Sequence, residues 1–230
     1  MIGAKVGDGY VGKKSRVRKG YNYVWIGLKA RDREFVEEFA RCLAKVLGRR
    51  EIRPRFRDDV GKYVVEVESK TLYELLRKPI GLDRLKKYVE HCERCVAPFL
   101  RGFVDSEGSV NKRGYIFILN TDLRLLTYIM YLLRRFNIES TGPGSHVRRG
   151  TIINDPGTGK QCVTNKDVYV IYIRASSNIN FYRYIGFTIT RKQIRLENYV
   201  KRTTRKLTLP PPFPPSSILK IITNIGPAGT

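Results

Sequence analysis

Two carboxylates one residue apart, Asp105 and Glu107, close the stretch Phe99-Leu100-Arg101-Gly102-Phe103-Val104-Asp105-Ser106-Glu107-Gly108-Ser109-Val110. Phe99, Leu100, Phe103 and Val104 recur at helical spacing, so this stretch reads as a helix burying them on neighbouring turns. Gly102 lies one turn before the acids, where a missing side chain lets another backbone come close. Gly108 is placed to end the helix. Asp105 and Glu107 then stand at or just past a helix C-terminus, where the dipole disfavours anions. A bound cation is one compensation, and an ordinary helix end with two solvated acids is the other reading. The same layout opens the chain: in Met1–Val11, Gly3 matches Gly102, Asp8 matches Glu107, Gly9 matches Gly108 and Val11 matches Val110. A small-residue helix ending in an acid, once in each half of the chain, is more specific than either copy alone.

The elements that must hold these acids follow one order twice. After the first motif comes a hairpin with Lys13, Lys14, Arg16, Arg18 and Lys19 near its tip and Tyr21–Leu28 as its return strand. A helix is expected over about 32–47, with Phe35, Phe39, Cys42, Leu43 and Val46 at helical spacing and Gly48 as its stop. Arg53, Arg55 and Arg57 alternate at period two, which gives three arginines one strand face. Asp58–Gly61 turns the chain into the alternating run Tyr63–Glu68, and helices over about 71–77 and 82–92 lead into the second motif. The second half replays the order with the strand Tyr115–Leu119, a helix capped by Asn120-Thr121-Asp122, an interrupted strand over 141–154, a polar loop over 155–166, a buried strand over 168–173, and helices over 178–184 and 190–202. Interleaved helices and hairpins of this kind predict an α+β fold with antiparallel sheets. Pro210–Pro215 breaks regular structure before a short apolar tail.

Of the four cysteines, Cys92 and Cys95 alone have metal-ligand spacing. A second CxxC is missing and His91 adjoins Cys92 too closely to complete a normal zinc site, so free thiols in a reducing compartment are the expectation. No run of 18 apolar residues spans a membrane, and the N-terminus lacks a signal-peptide pattern. An intracellular protein of the cytoplasm or nucleoid is expected. The 230 residues carry a formal net charge of +23. A compact chain this basic repels itself unless it meets a polyanion, and nucleic acid is the leading partner.

The paired motifs resemble those of the LAGLIDADG homing endonucleases, specifically the monomeric type with two motifs in one chain. The second copy matches better. In the first, Val6 stands where the pattern has its sixth-position Asp, and Lys5 interrupts an apolar run. The resemblance covers about residues 1–202. It implies two pseudo-symmetric αββαββα halves with saddle-shaped antiparallel sheets, joined by two central helices that pack side by side at Gly3 and Gly102. The halves are set at residues 1–91 and 92–208, with a proline-rich tail over 209–230. It further implies that Asp8 and Glu107 meet at the bottom of the helix pair and hold Mg2+, or Mn2+, over DNA. The backbone carbonyls of Gly7 and Ser106 are added as further ligands. Asp105, at the sixth position, is a weaker ligand candidate, since that position serves helix packing and capping. The family also places a basic or polar residue at the end of the second strand, near the attacking water or the phosphate. Lys29 fits that place, with Asn120 as its counterpart in the second half.

Phosphodiester hydrolysis needs an activated water and relief of charge on the leaving oxygen, and two divalent cations about 3.5–4 Å apart supply both. The implied activity is site-specific cleavage of double-stranded DNA, by a monomer, at a long asymmetric target. Arg53, Arg55 and Arg57 suit phosphates or guanine edges in the major groove. Lys13, Lys14, Arg16, Arg18 and Lys19 suit a hairpin reaching along the duplex, and Arg148, Arg149 and Lys160 do the same from the other half. An RNA maturase on the same fold and a non-catalytic DNA-binding regulator are the alternatives. Retention of both motif acids speaks against the regulator.

Overall fold

The computed structural model describes residues 1–16, 21–77, 80–154, 159 and 161–204. Arg18, Lys19, Lys160 and the tail over 209–230 lie outside the described residues.

The first half runs α1 (Ile2–Val6), β1 (Tyr10–Arg16), β2 (Tyr21–Ala30), α2 (Arg33–Val46), β3 (Arg55–Arg57), β4 (Lys62–Glu68), α3 (Lys70–Leu76) and α4 (Leu82–Val89). The second runs α5 (Glu93–Glu107), β5 (Gly108–Val110), β6 (Ile116–Asn120), α6 (Leu123–Arg134), β7 (Ser140–Val147), β8 (Ile152–Asn154), β9 (Gln161–Val163) and β10 (Val168–Ile173). A run of short turns around α7 (Asn178–Asn180) then leads to α8 (Thr190–Thr204). The sheets have strand orders β1-β2-β4-β3 and β5-β6-β10-β7, antiparallel throughout. The second therefore repeats the first, with β8 and β9 inserted as a separate two-stranded hairpin between its last two strands in sequence. Two pseudo-symmetric halves of an α+β protein result. Where the sequence suggested an interrupted strand and a polar loop, the chain instead makes β7 and the β8–β9 hairpin. The breaks at Gly144 and Gly150 belong to a strand edge and to the turn that starts the insertion.

Alternation explains which strand face is buried. In the first sheet Ile26, Leu28, Val65 and Val67 point to the α2 side and pack with Phe35, Val36, Phe39 and Leu43. The cross-strand register puts Tyr10 opposite Gly27, Gly12 opposite Trp25, Lys14 opposite Tyr23 and Lys29 opposite Val64 on the other face. Arg55 and Arg57 pair with Val64 and Lys62 on that same face. Lys13 and Lys14 accordingly point to opposite faces. Arg53 precedes β3 rather than belonging to it, which corrects the expectation of three arginines on one strand face. The α2 helix ends as its sequence suggests: Gly48 adopts φ 62°, and the amide of Arg49 reaches the carbonyl of Ala44 at 2.8 Å.

The second core gathers Phe99, Leu100, Phe103, Val104, Ile116, Ile118, Leu126, Ile129 and Leu133. Val89 and Leu82 of α4 pack into it as well. In packing terms α4 thus goes with the second half, whereas the sequence division was set after it, at residue 91. The short α1 straddles both cores: Ala4 belongs to the first, and Ile2 touches both. Among the described residues no helix is long and apolar enough to cross a membrane.

Candidate active site at the joined motif helices

Helices α1 and α5 touch along their lengths because glycines face each other's backbone. A Cβ on Gly3 would collide with the carbonyl of Phe99 and fall 2.8 Å from the amide nitrogen of Phe103. One on Gly102 would lie 2.9 Å from the amide nitrogen of Ala4. At the C-terminal ends the same closeness recurs. A Cβ on Gly7 would stand 2.8 Å from the Ser106 hydroxyl and 3.1 Å from Glu107 Oε1. The Ser106 hydroxyl is 3.2 Å from the Gly102 carbonyl and 3.4 Å from that of Ala4, tying the two ends together. Gly7, which precedes Asp8, is therefore brought against Ser106 and Glu107, one motif end from each half. Gly108 caps α5 with φ −93° and passes straight into β5, so its smallness serves a different end from a left-handed cap: a Cβ there would lie 2.6 Å from the Val104 carbonyl.

A cleft of 770 Å³ opens beside this junction, lined by Gly7, Glu107, Leu119, Asn120, Arg124 and Lys166 among others. Glu107 is half-buried, whereas Asp8 keeps solvent access. The protein packed around Asp8 nevertheless pushes its carboxyl above the ordinary range, against the pull of Lys192 and Lys62. Lys29 is exposed on the outer face of the first sheet, outside the cleft lining, and its charge acts on Asp59.

The two strand ends correct one pairing. Both β2 and β6 run into a helix after two residues, with Asp32 and Asp122 as the N-caps. Counted back from the caps, Asn120 corresponds to Ala30 and Lys29 to Leu119. Asn120 Oδ1 accepts from the amide of Asp122 at 2.8 Å, a local turn that sequence spacing alone did not reveal.

Asp105 is turned away from the cleft. It is 2% exposed, and its carboxylate accepts from the amides of Thr188 at 2.9 Å and Ile189 at 3.2 Å, just ahead of α8. Burial pushes this carboxyl up, against the pull of those hydrogen bonds and of Lys192. Lys192 is 5% exposed and donates to the carbonyls of Asp105 and Gly108, each at 2.6 Å. Burial pushes its ammonium down, and Asp105 and Asp8 pull it back up. An ammonium thus occupies the C-terminal end of α5, where the dipole is negative. Part of the compensation that the motif acids need comes from the chain itself. Sequence reading missed Lys192, although its signal was present: it falls on the buried stripe of α8 with Leu196 and Val200, where an apolar residue would be ordinary.

Arg53, Arg55 and Arg57 are engaged with acids. Arg57 pairs with Asp59, Arg53 with Glu51 at 2.8 Å and Arg55 with Glu66 at 3.7 Å, and Glu66 also accepts from the Tyr10 hydroxyl at 2.8 Å. The side chains of Lys14, Arg148 and Arg149 are exposed, and the backbone of Arg16 closes the β1–β2 ladder opposite Tyr21.

Two antiparallel sheets of one repeated strand order, joined through a glycine-faced helix pair that ends in acids, define the LAGLIDADG homing-endonuclease fold, and the chain resembles the two-motif type of that family. Residues 94–186 match the family model described as LAGLIDADG-like domain. Among solved structures, mesophilic variants of the homing endonuclease I-DmoI superpose with a TM-score of 0.56 at 20% identity, covering 86% of this chain and 94% of theirs. I-DmoI in complex with DNA and Mn gives 0.54 at 19%, covering 80% and 92%. Two uncharacterized proteins of Methanocaldococcus jannaschii are also similar. One is 34% identical over 148 residues, which is 60% of this chain and 54% of the relative. The other is 29% identical over 205 residues, 87% and 70% respectively. The chain spans about half the length of the first of these relatives.

Proposed function

We propose that this protein is a site-specific double-strand DNA endonuclease of the homing type, with Asp8 and Glu107 holding divalent metal. The observation that carries the reading is the contact of Gly7 with Ser106 and Glu107 at the foot of α1 and α5, with Asp8 the next residue along the first-half motif. The donor set fits a hard cation. Two carboxylates, with the Gly7 and Ser106 carbonyls next to them in the chain, make an oxygen donor set of the kind that, with room for water, suits Mg2+ or Mn2+. When bound, the metal supplies Lewis-acid assistance and a water of lowered pKa.

The remaining tasks belong to the chain. Asn120, Arg124 and Lys166 line the cleft with Glu107 and are suited to orient a phosphate there. Lys192 fixes the carbonyls of Asp105 and Gly108 on either side of Glu107, so we read it as a positioning residue. Lys14, Lys29, Arg55 and Arg57 share the outer face of the first sheet and are proposed to take the duplex. Arg53, Arg148 and Arg149 extend that contact from the rims. The β8–β9 hairpin makes the halves unequal, which supports an asymmetric target read by a monomer. Crystals of I-DmoI with DNA and Mn or Ca support the same partner and metal class for this fold.

The test is selection of cleaved sites from a randomised duplex library with Mg2+ present. Enrichment of one long, asymmetric site is expected, and its loss in Asp8→Asn and Glu107→Gln. Binding without cleavage by the unaltered chain would instead favour the regulator.

A further inference from the structure

The turn between α4 and α5 holds a group that the nuclease reading does not use. His91, Cys92 and Cys95 bring one ligand atom each to within 4.8 Å of one another. His91 Nε2 lies 3.0 Å from Cys95 Sγ. Adjacency in sequence suggested that His91 could not join Cys92 in one site, but the turn between the two helices brings their ligand atoms together. Cys92 is the N-cap of α5, Cys95 lies in its first turn, and the turn folds the His91 ring back over that turn. Both cysteines are free thiols and half-buried, and His91 is exposed, so an ion can enter from solvent.

We propose that His91, Cys92 and Cys95 form a three-ligand site for a thiophilic divalent cation, zinc by preference, with its fourth position open to water. Zn–S bonds of about 2.3 Å and Zn–N bonds of about 2.0–2.1 Å put tetrahedral ligand atoms roughly 3.5–3.8 Å apart. The His91–Cys95 separation of 3.0 Å and the outer limit of 4.8 Å bracket that spacing. Burial and the neighbouring Cys92 push the Cys95 thiol up, so the bound ion itself must drive off its proton. Two thiolates and an imidazole select zinc over the hard cations suited to Asp8 and Glu107. The ion would pin the elbow at which α4, with Val89 in the second core, turns into the central helix α5. It is thus a structural clamp, distinct in chemistry and place from the motif acids.

The test uses the full chain, reduced and stripped of metal, titrated with Co2+ and then Zn2+. One Co2+ per chain with thiolate charge-transfer and tetrahedral d–d absorption, displaced by Zn2+, is expected. Cys92→Ser/Cys95→Ser should abolish these bands, while Cys42→Ser/Cys162→Ser keeps them. His91→Asn should weaken zinc by at least about 10–100-fold, the loss typical even of outer-shell partners. Zinc should raise the melting temperature of the parent and of the Cys42/Cys162 variant alone, a readout independent of cleavage. Octahedral cobalt spectra, bands that survive loss of Cys92 and Cys95, affinity unchanged in His91→Asn, or a Cys92–Cys95 disulfide that forms in the presence of equimolar zinc would each overturn the site.

Discussion

At Asp8 and Glu107 the roles of charge and shape can be separated. Asp8→Asn and Glu107→Gln keep side-chain size while removing the anion that a metal needs. Each is expected to abolish double-strand cleavage, leaving at most nicking of one strand, while duplex binding measured by gel shift in Ca2+ persists or tightens slightly as a carboxylate facing phosphate is neutralised. Near-normal cutting by either variant would sink the metal assignment. Parallel loss of binding would point to a folding role. Lys192 calls for a different probe. Lys192→Met keeps the aliphatic stem and leaves the carbonyls of Asp105 and Gly108 without their donor. A stability loss of about 1–3 kcal/mol per unsatisfied carbonyl follows, read as a lower urea midpoint. Cleavage per folded molecule should fall as well, because the peptide flanking Glu107 is no longer held. Full cleavage by the folded fraction would make Lys192 structural only.

Between elements, the decisive contact is the crossing of α1 and α5, and its two glycines are not equivalent. Gly3 faces the Phe99 carbonyl and the Phe103 amide, both backbone groups of a long helix that cannot step aside, whereas at Gly102 the one clash below 3 Å is with the amide of Ala4 in a five-residue helix. Gly3→Ala should therefore destabilise more than Gly102→Ala, with overpacking costs of roughly 1–3 kcal/mol or more. Equal melting temperatures would contradict the packing. Asp105→Ala should also cost about 1–3 kcal/mol, since the amides of Thr188 and Ile189 lose their acceptor. Asp105→Asn, which retains an oxygen, should cost less in the same denaturant titration. The glycine-acid spacing made the helix pair legible in the sequence, and alternation made most strands so. What escaped depends on contacts between distant segments. Lys192 meets carbonyls of α5 and β5 that lie 87 and 84 residues away in sequence, and the Lys29–Leu119 correspondence needs the helix caps as fixed points. The β8–β9 hairpin is built from strands of only three residues each, too short to leave a periodic signal, and its Ile152 and Val163 are exposed rather than buried.

For the molecule as a whole, charge governs the duplex contact proposed above. With a net charge of +23, binding should release many counterions. If about ten phosphates are neutralised, log K should fall with log[salt] at a slope near −9. The free protein already occupies some of those cations. Arg57 with Asp59, Arg53 with Glu51 and Arg55 with Glu66 are exposed ion pairs, each worth little on its own. A phosphate must compete with the carboxylate for the same guanidinium, so the acids lower affinity without changing the number of cations in the footprint. Asp59→Asn should consequently tighten duplex binding at low salt and leave the salt slope within error of the parent. Arg57→Gln should weaken binding across sequences and make the slope shallower by about 1 if the residue contacts phosphate. If it reads a base instead, the loss should concentrate at one position of the target, with a slope closer to that of the parent. Fluorescence anisotropy over a range of salt concentrations, on the selected target and on a scrambled duplex, distinguishes these outcomes. A parent slope shallower than about −2 would mean that few phosphates are touched, and an extended footprint across both sheets would have to be given up.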